Sequence, residues 1–512
     1  MKLTRLTSEI LRENENKNFI FVGKSPAYFV EFYNQYSISK RASAVLDANP
    51  KKHGLCEIIG QEIPVYGLAY LQSIDVAKTL IIITDDYYKE YFEKIQSLLK
   101  ADSENYEIYF FPNQETSYEL EYREQYKSAS LEDILVFRSG PHATEYVKGM
   151  DFADNARALF EYALSIHLNE KYELVWIVKN PGEFVEYKKY ENISFLPFEA
   201  SVTKEKEARD EYYRVLCLAK FFFFTDAYGF VRNCREDQVR VQLWHGYGFK
   251  KRLSTLPCSS RYEYMPVPSQ LYADLHAKEF GLHRNQMLIT GGVKTDWLFE
   301  RDEKLYESLH IPKAKKYLFW LPTYRFSEEK MKKPVDGELY EETGLPMVGT
   351  QKELSKIDEF LHQKDMRLIL KLHPFQSRDV VYVKGYSNIH ILENKDLIRE
   401  DIQINQVLGM ADALISDYSS TAVDFLILNR PMAFLIEDEK EYSESRGFIF
   451  DSVEDYLPGK KIRKLEEFMV FLEEISMEID STAEEREIIR KQFYKYTDGN
   501  SAKRLLEALN II

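Results

Sequence analysis

Cysteine is scarce in this chain: Cys56, Cys217, Cys234 and Cys258 are the only four among 512 residues. None forms a CxxC pair, and four scattered thiols make no disulfide framework. They are expected to be reduced, mostly buried thiols of a cytoplasmic protein. Long apolar runs are missing as well. No stretch approaches the ~18 residues that a membrane span needs, and the N-terminus MKLTRLTSEILRENENKN lacks the uninterrupted apolar core of a signal peptide. Positive charge is in deficit, with 68 Lys and Arg against 83 Asp and Glu and a net charge of −15. A field of that sign repels nucleic acid, so no nucleic-acid partner is expected. HExxH, HxH and DxD spacings do not occur at convincing positions, and neither a GxSxG elbow nor a Walker A sequence occurs. No metal and no cofactor is therefore expected.

What the chain does have is apolar material, 45% of its residues, enough for three ordinary domains or two large ones. Strand-length apolar runs alternate with helix-length amphipathic segments, which predicts an α/β protein built on parallel sheets. A first block has strands at Phe19–Val22, Ala44–Leu46, Thr79–Thr84 and Ile108–Phe111. Gly23 follows the first of these, but GxGxxG spacing is missing, so residues 1–130 read as an accessory α/β domain whose Asn113–Ser130 stretch is a linker or exposed helix. A second block, residues 131–284, has strands at Ile134–Phe137, Leu174–Val178, Phe221–Thr225 and Val239–Leu243, and a helix that Asp154 can cap. A third, residues 285–512, has strands at Met287–Thr290, Tyr317–Leu321, Leu368–Lys371, Ala413–Ser416 and Met432–Ile436. The charged stretch Phe326–Gly349 reads as a mobile surface loop.

Four motifs fall at strand ends, where open α/β sheets bind their ligands. In QLWHGYGFKKRL, His245 is a natural general base, Gly246 permits close approach of a substrate, and Lys250, Lys251 and Arg252 suit a phosphate. A core histidine followed by a solvated basic turn is the alternative. In LPTYR, Thr323 and Arg325 reach a loop, and arginine grips phosphate oxygens with two parallel hydrogen bonds; a surface salt bridge is the alternative. In LKLHP, Lys371 and His373 end an apolar strand that Pro374 stops, and a structural histidine is the alternative. In ALISDYSSTAVDFLILNRP, Asp417, Ser419 and Ser420 lie where a helix begins, a place that favours an anion, although simple N-capping explains the same residues.

The order and wording of these motifs resemble the CDP-glycerol glycerophosphotransferase family, the teichoic-acid primases and polymerases. The resemblance runs from about Asp133 to Leu509 through DNARALFEYAL, YELVWIVKN, QLWHG, GGVKTD, LPTYR, LKLHP, LISDYSST with Asp424, LNRP, RGFIFD and FYKYTDGNSAKRLL. It implies a GT-B architecture of two Rossmann-like halves, preceded here by the extra N-terminal domain. Residues 131–284 would form the acceptor side, residues 285–512 the donor side, and the final helix would cross back. It implies that His245 and His373 are needed for activity, and it adds Gly292, Lys371, Asp417 and Asp424 to the binding surface. The implied partners are a CDP-polyol donor, glycerol first, a lipid-linked or polymeric polyol-phosphate acceptor, and the inner face of the cell membrane as a peripheral site. A CDP-ribitol transferase, a nucleotide-sugar GT-B glycosyltransferase and an inactive scaffold are the rivals. Two departures stand out. The family has threonine and proline after WHG where this chain has Tyr247 and Gly248, and arginine where it has Lys294.

Overall fold

The computed structural model describes the chain except residues 24–25, 37–41, 59, 100–105, 141–150, 226–230, 232, 253–255, 257, 259–260, 323–341, 372–382, 384, 437–438 and 446. Runs such as Phe19–Val22, Ile134–Phe137 and Leu368–Leu370 are buried along their whole length. Strands covered on both faces, as in parallel sheets flanked by helices, require this.

The first sheet holds β1 (Lys2–Arg5), β2 (Asn18–Val22), β3 (Val45–Leu46), β4 (Gly54–Ile58), β5 (Gln61–Tyr66), β6 (Thr79–Ile83) and β7 (Glu107–Phe110), in the order β1-β7-β6-β2-β3-β5-β4. Only the β4–β5 pair is antiparallel. The stretch expected as a linker is the helix Gln114–Tyr126, capped by Asn113, whose Oδ1 accepts from the Thr116 N–H at 2.8 Å. It is not exposed. Tyr122 stacks on Tyr213 at 4.7 Å, and buried Arg123 donates to the Leu216 carbonyl and Gln238 Oε1, both at 2.7 Å. A second anchor is the ion pair between Arg261 and Glu90, 2.8 Å apart and 5% and 8% exposed. Removing one partner of such a buried pair typically costs ~3–5 kcal/mol, so the N-terminal unit is docked rather than tethered.

The second sheet holds β8 (Glu132–Arg138), β9 (Glu173–Val178), β10 (Ile193–Pro197), β11 (Ala219–Phe224) and β12 (Val239–Gln242), all parallel, in the order β10-β9-β8-β11-β12. Beside it, β13 (Met265–Val267) and β14 (Met287–Ile289) pair in parallel. A bridge between Val241 and Tyr264 joins this pair to the edge of β12. The strand at Met287, expected to open the third block, therefore extends the second sheet. The third sheet holds β15 (Lys316–Trp320), β16 (Met366–Lys371), β17 (Ile389–Leu392), β18 (Ala413–Ser416), β19 (Met432–Leu435) and β20 (Lys460–Ile462), all parallel, in the order β17-β16-β15-β18-β19-β20. Two parallel sheets with helical crossovers make the GT-B architecture.

The chain passes between these two sheets twice. It leaves the second sheet through residues 293–315. It returns after the helix Ala483–Phe493 to place the helix Ser501–Ala508 in the core under the second sheet, where Ala502, Leu505 and Leu506 join Leu135, Phe137 and Trp176. Asp296 receives that helix: its carboxylate accepts from the N–H groups of Ser501 and Ala502 at 2.9 and 2.8 Å. Gly291 has φ +105, and a Cβ there would collide with Ser501. The stretch expected as a surface loop is partly core, because Leu345 and Val348 are fully buried against the third sheet; residues 326–341 lie outside the described part.

Candidate functional site

The C-terminal end of β12 delivers His245 to solvent. The turn that carries it is constrained from three directions. Trp244 adopts φ +56, unusual for a side chain of that size, and its ring packs 4.1 Å from the His245 ring and 4.7 Å from Phe280. Asn155 Nδ2 donates to the carbonyls of Leu243 and Trp244 at 3.3 and 2.9 Å. Gly246 sits at φ +150 with Ser420 directly above it; a Cβ here would lie 2.8 Å from the Ser420 Oγ and 3.0 Å from its Cβ. Gly248 is also pressed on Ser420. Thus two of the predicted motifs, the His245 turn and the Ser419–Ser420 turn after β18, meet in space although about 175 residues separate them.

Ser419 is the N-cap of the short helix Ser420–Leu426, its hydroxyl accepting from the Thr421 N–H at 3.3 Å. The capping alternative is thus realised for that serine. Asp417 is buried just before it. Beyond Gly248 the chain forms a second contact between the halves. The Ile449 N–H donates to the Phe249 carbonyl at 2.8 Å, the Lys251 N–H to the Gly447 carbonyl at 3.2 Å, and Lys250 pairs with Phe448. The Lys250 ammonium lies 5.6 Å from the centre of the Tyr442 ring. Arg252 is engaged in packing, over Phe280 at 5.0 Å and donating to the Leu256 carbonyl at 2.8 Å.

Under the His245 turn, Lys294 and the predicted Asp424 belong to a charged group whose assembly the motifs did not reveal. The Lys294 ammonium donates to the His245 carbonyl at 2.6 Å and pairs with Asp154 Oδ1 at 3.1 Å and Asp424 Oδ2 at 3.5 Å. Burial alone would lower its pKa, but the two carboxylates outweigh that and hold it above the ordinary lysine value. Burial pushes the Asp424 carboxyl up, Lys294 pulls it down, and the charge of Asp154 adds to the rise. One cation is thus shared by two carboxylates. Asp154 is not the cap of its helix, which is Ala153; it is the first residue of Asp154–Ser165 and adopts φ +62. One turn on, Arg157 holds Asp401 of the other half with bonds of 2.6 and 2.9 Å.

The remaining predicted positions divide clearly. Gly292 faces the Tyr247 ring, where a Cβ would meet the ring at 2.9 Å. Tyr247, the departure beside His245, points into the core and donates to the Pro266 carbonyl at 2.6 Å. Its ring stands 5.7 Å from buried His276, whose pKa falls to about 3 through burial, with a smaller push from His245. Lys371 ends β16, is 7% exposed and donates to Asn394 Oδ1. Burial lowers its pKa to about 8 against the pull of Glu393 and Asp396. It is not among the residues gathered around His245 by any contact described above. Thr323, Arg325 and His373 lie outside the described residues. Asp154, Asn155 and Asn405, which donates to Asp424 at 3.5 Å, were not singled out as site residues. The signal that could have found the first two was DNARAL itself, a polar pair opening a helix with a long apolar face.

The family described as CDP-glycerol:poly(glycerophosphate) glycerophosphotransferase matches residues 143–510. Among similar proteins, the teichoic acid ribitol-phosphate polymerase TarK of Staphylococcus aureus is 24% identical over 336 residues, 61% of this chain and 61% of that protein. The teichoic acid glycerol-phosphate primase of Bacillus subtilis is 27% identical over 314 residues, 57% of this chain and 72% of that protein. The chain thus spans under two thirds of the length of the first of these relatives. Among solved structures, the wall teichoic acid polymerase TagF superposes with a TM-score of 0.57 at 18% identity, covering 83% of this chain and 97% of that one; this likeness concerns the fold.

Proposed function

The chain belongs to the CDP-glycerol:poly(glycerophosphate) glycerophosphotransferase family, and on that premise we propose that it transfers a polyol phosphate, glycerol phosphate first, from a CDP-activated donor to a hydroxyl of a polymeric or lipid-linked acceptor. In this reading the acceptor oxygen attacks the β-phosphorus of the donor in line. A P–O bond forms to the acceptor, the bond to the α-phosphate oxygen breaks, and CMP leaves. His245 takes the hydroxyl proton, a contribution of typically ~10²–10⁴ in rate. His373, Arg325 and Thr323 receive the pyrophosphate from the donor-side half, with Lys371, Asp417, Ser419 and Ser420 shaping the strand ends beneath it. Lys250 and Lys251 steer the anionic donor or polymer despite the acidic whole. Phosphoryl transfer depends chiefly on this kind of positioning and charge neutralisation.

The observation that carries the reading is the contact of Gly246 with Ser420, which brings an exposed histidine of one half against the helix-opening turn of the other. Among the described residues no helix is long and apolar enough to cross a membrane. Residence at the inner membrane face follows from the proposed acceptor. The relatives include a ribitol-phosphate polymerase and a glycerol-phosphate primase, so the polyol is the part of the proposal that the assay must read. Purified protein is given CDP-glycerol, CDP-ribitol or a UDP-sugar with a polyol-phosphate acceptor; CMP release is measured and the products are weighed by mass spectrometry. CMP release with CDP-glycerol, lost in His245→Ala, is expected. Thermal stabilisation by UDP-sugars alone would overturn the CDP-polyol reading.

A further inference from the structure

We infer that Lys294 is a positioning residue: it holds the His245 turn by its backbone and does so only while carboxylates of both halves hold it. The inference rests on the reading of His245 as the base. Three observations on different elements converge on it. The Lys294 ammonium donates to the carbonyl of His245 itself, at 2.6 Å. The backbone N–H of Lys294 donates at 2.9 Å to Asn155 Oδ1, and the same Asn155 side chain donates to the carbonyls of Leu243 and Trp244. Three successive carbonyls of the turn, those of residues 243, 244 and 245, are thereby fixed from one side by Lys294 and Asn155. The third observation is charge. Asp154 lies on the first half and Asp424 on the second; they are 11% and 2% exposed, and both pair with Lys294, itself 14% exposed.

The arrangement matters because the ring of His245 is exposed and is carried by the backbone of this turn, so a shift of the turn moves the ring. A lysine has three donors and no acceptor, so one ammonium can serve two carboxylates and one carbonyl together. Separating the halves would take Asp424 away from Lys294 while Asp154 stayed. The carbonyl of His245 would then be held by a cation with altered partners. Lys294 therefore connects the approach of the two halves to the placement of the proposed base. Gly246, whose Cβ position would lie 3.8 Å from the Lys294 ammonium and 2.8 Å from Ser420, leaves the turn no slack on its other side.

The test compares Lys294→Met, Lys294→Arg and the double variant Lys294→Met with Asp424→Asn. Lys294→Met is expected to lower kcat for CMP release about 100-fold, the usual effect of an ångström-scale misplacement, with KM for CDP-glycerol changed less than about threefold. Lys294→Arg, which keeps the charge and the reach, is expected to recover to within about tenfold of the wild type. The double variant removes the more deeply buried of the two carboxylates that Lys294→Met would strand, leaving Asp154 at the edge, so it is expected to fold more readily than the single variant and to stay slow. Wild-type kcat in the double variant overturns the inference, and so does a loss of donor binding that matches the loss of kcat. Hydrogen exchange gives a readout that needs no activity: amides of residues 243–248 are expected to exchange at least about tenfold faster in the double variant, those of β15 unchanged. Unchanged exchange in the turn overturns the inference. If the wild type releases no CMP from any CDP-polyol, the proposed function has failed, and the exchange experiment still decides the role of Lys294.

Discussion

Replacing Gly246 by alanine perturbs the junction on which the proposed chemistry depends, and its size can be worked out. The new Cβ would stand 2.8 Å from the Ser420 Oγ and 3.0 Å from the Ser420 Cβ. Comfortable contact begins near ~3.5 Å, so the two turns must part by roughly 0.5–0.7 Å. The backbone adds its own cost, because φ +150 is glycine territory. Strain of that kind and overpacking are each worth about 1–3 kcal/mol. Relief comes more cheaply by displacing the exposed turn than by unfolding, and a displacement approaching 1 Å lowers a rate by up to ~10²-fold. We expect kcat for CMP release to fall about 10–100-fold while the melting temperature drops by only a few degrees. A second substitution separates the two costs. Both crowding atoms belong to Ser420, so Ser420→Gly in the Gly246→Ala background removes the clash and leaves the backbone strain; about half of the lost activation free energy should return. The assay is steady-state CMP release at saturating donor, with thermal melts on the same samples. Gly246→Ala with kcat within twofold of the wild type would refute the reasoning, since it would mean that the two turns do not need their contact.

Two further outcomes follow from other parts of the molecule. Lys371 has a folded-state pKa of about 8, below its ordinary 10.5. Below pH 8 both folded and unfolded chains carry the charge and the folded state bears the full penalty, roughly 3 kcal/mol. As pH rises from 8 towards 10.5 the folded lysine is already neutral while the unfolded one still holds its proton, so stability should climb. Denaturant titrations at both ends of that window should show the climb in the wild type and its absence in Lys371→Met. Asp296→Ala leaves the N–H groups of Ser501 and Ala502 without their carboxylate, a loss of about 1–2 kcal/mol by analogy with helix caps, seen as a lower melting temperature and faster proteolytic release of the C-terminal helix.

Strands buried on both faces were legible in the sequence as short, nearly unbroken apolar runs. Ile134–Phe137, Leu174–Val178 and Leu368–Lys371 were read within a residue or two of β8, β9 and β16. Polar or very short strands escaped. β1 is KLTR and β5 is QEIPVY, half polar because one side faces solvent, and β13 is three residues long. The helix Gln114–Tyr126 was read as exposed because its sequence is almost wholly polar, yet it buries Arg123 and Glu119 against the second unit as a paired group. At the site, single residues at strand ends could be named from local pattern, as His245 and Ser420 were. Relations between them could not. Asp154, Lys294 and Asp424 are each separated by about 130 residues or more, and only folding puts their charges within ion-pair distance. Tyr247 shows the opposite limit: beside the proposed base in sequence, it turns its side chain into the core and hydrogen-bonds Pro266.

The double passage of the chain between the second and third sheets has a mechanical meaning. Two bodies joined by one covalent connection can swing, twist and slide about a point. Two connections define a line instead. With residues 293–315 as one strap and residues 494–500 as the other, the second clamped at both ends by the Tyr494 hydroxyl on the Val423 carbonyl and by Asp296 on the last helix, the connections would favour rotation of the sheets about the line through both straps. A donor entering the cleft would then meet a door on two hinges, whose swing returns His245 to the same place each time it shuts.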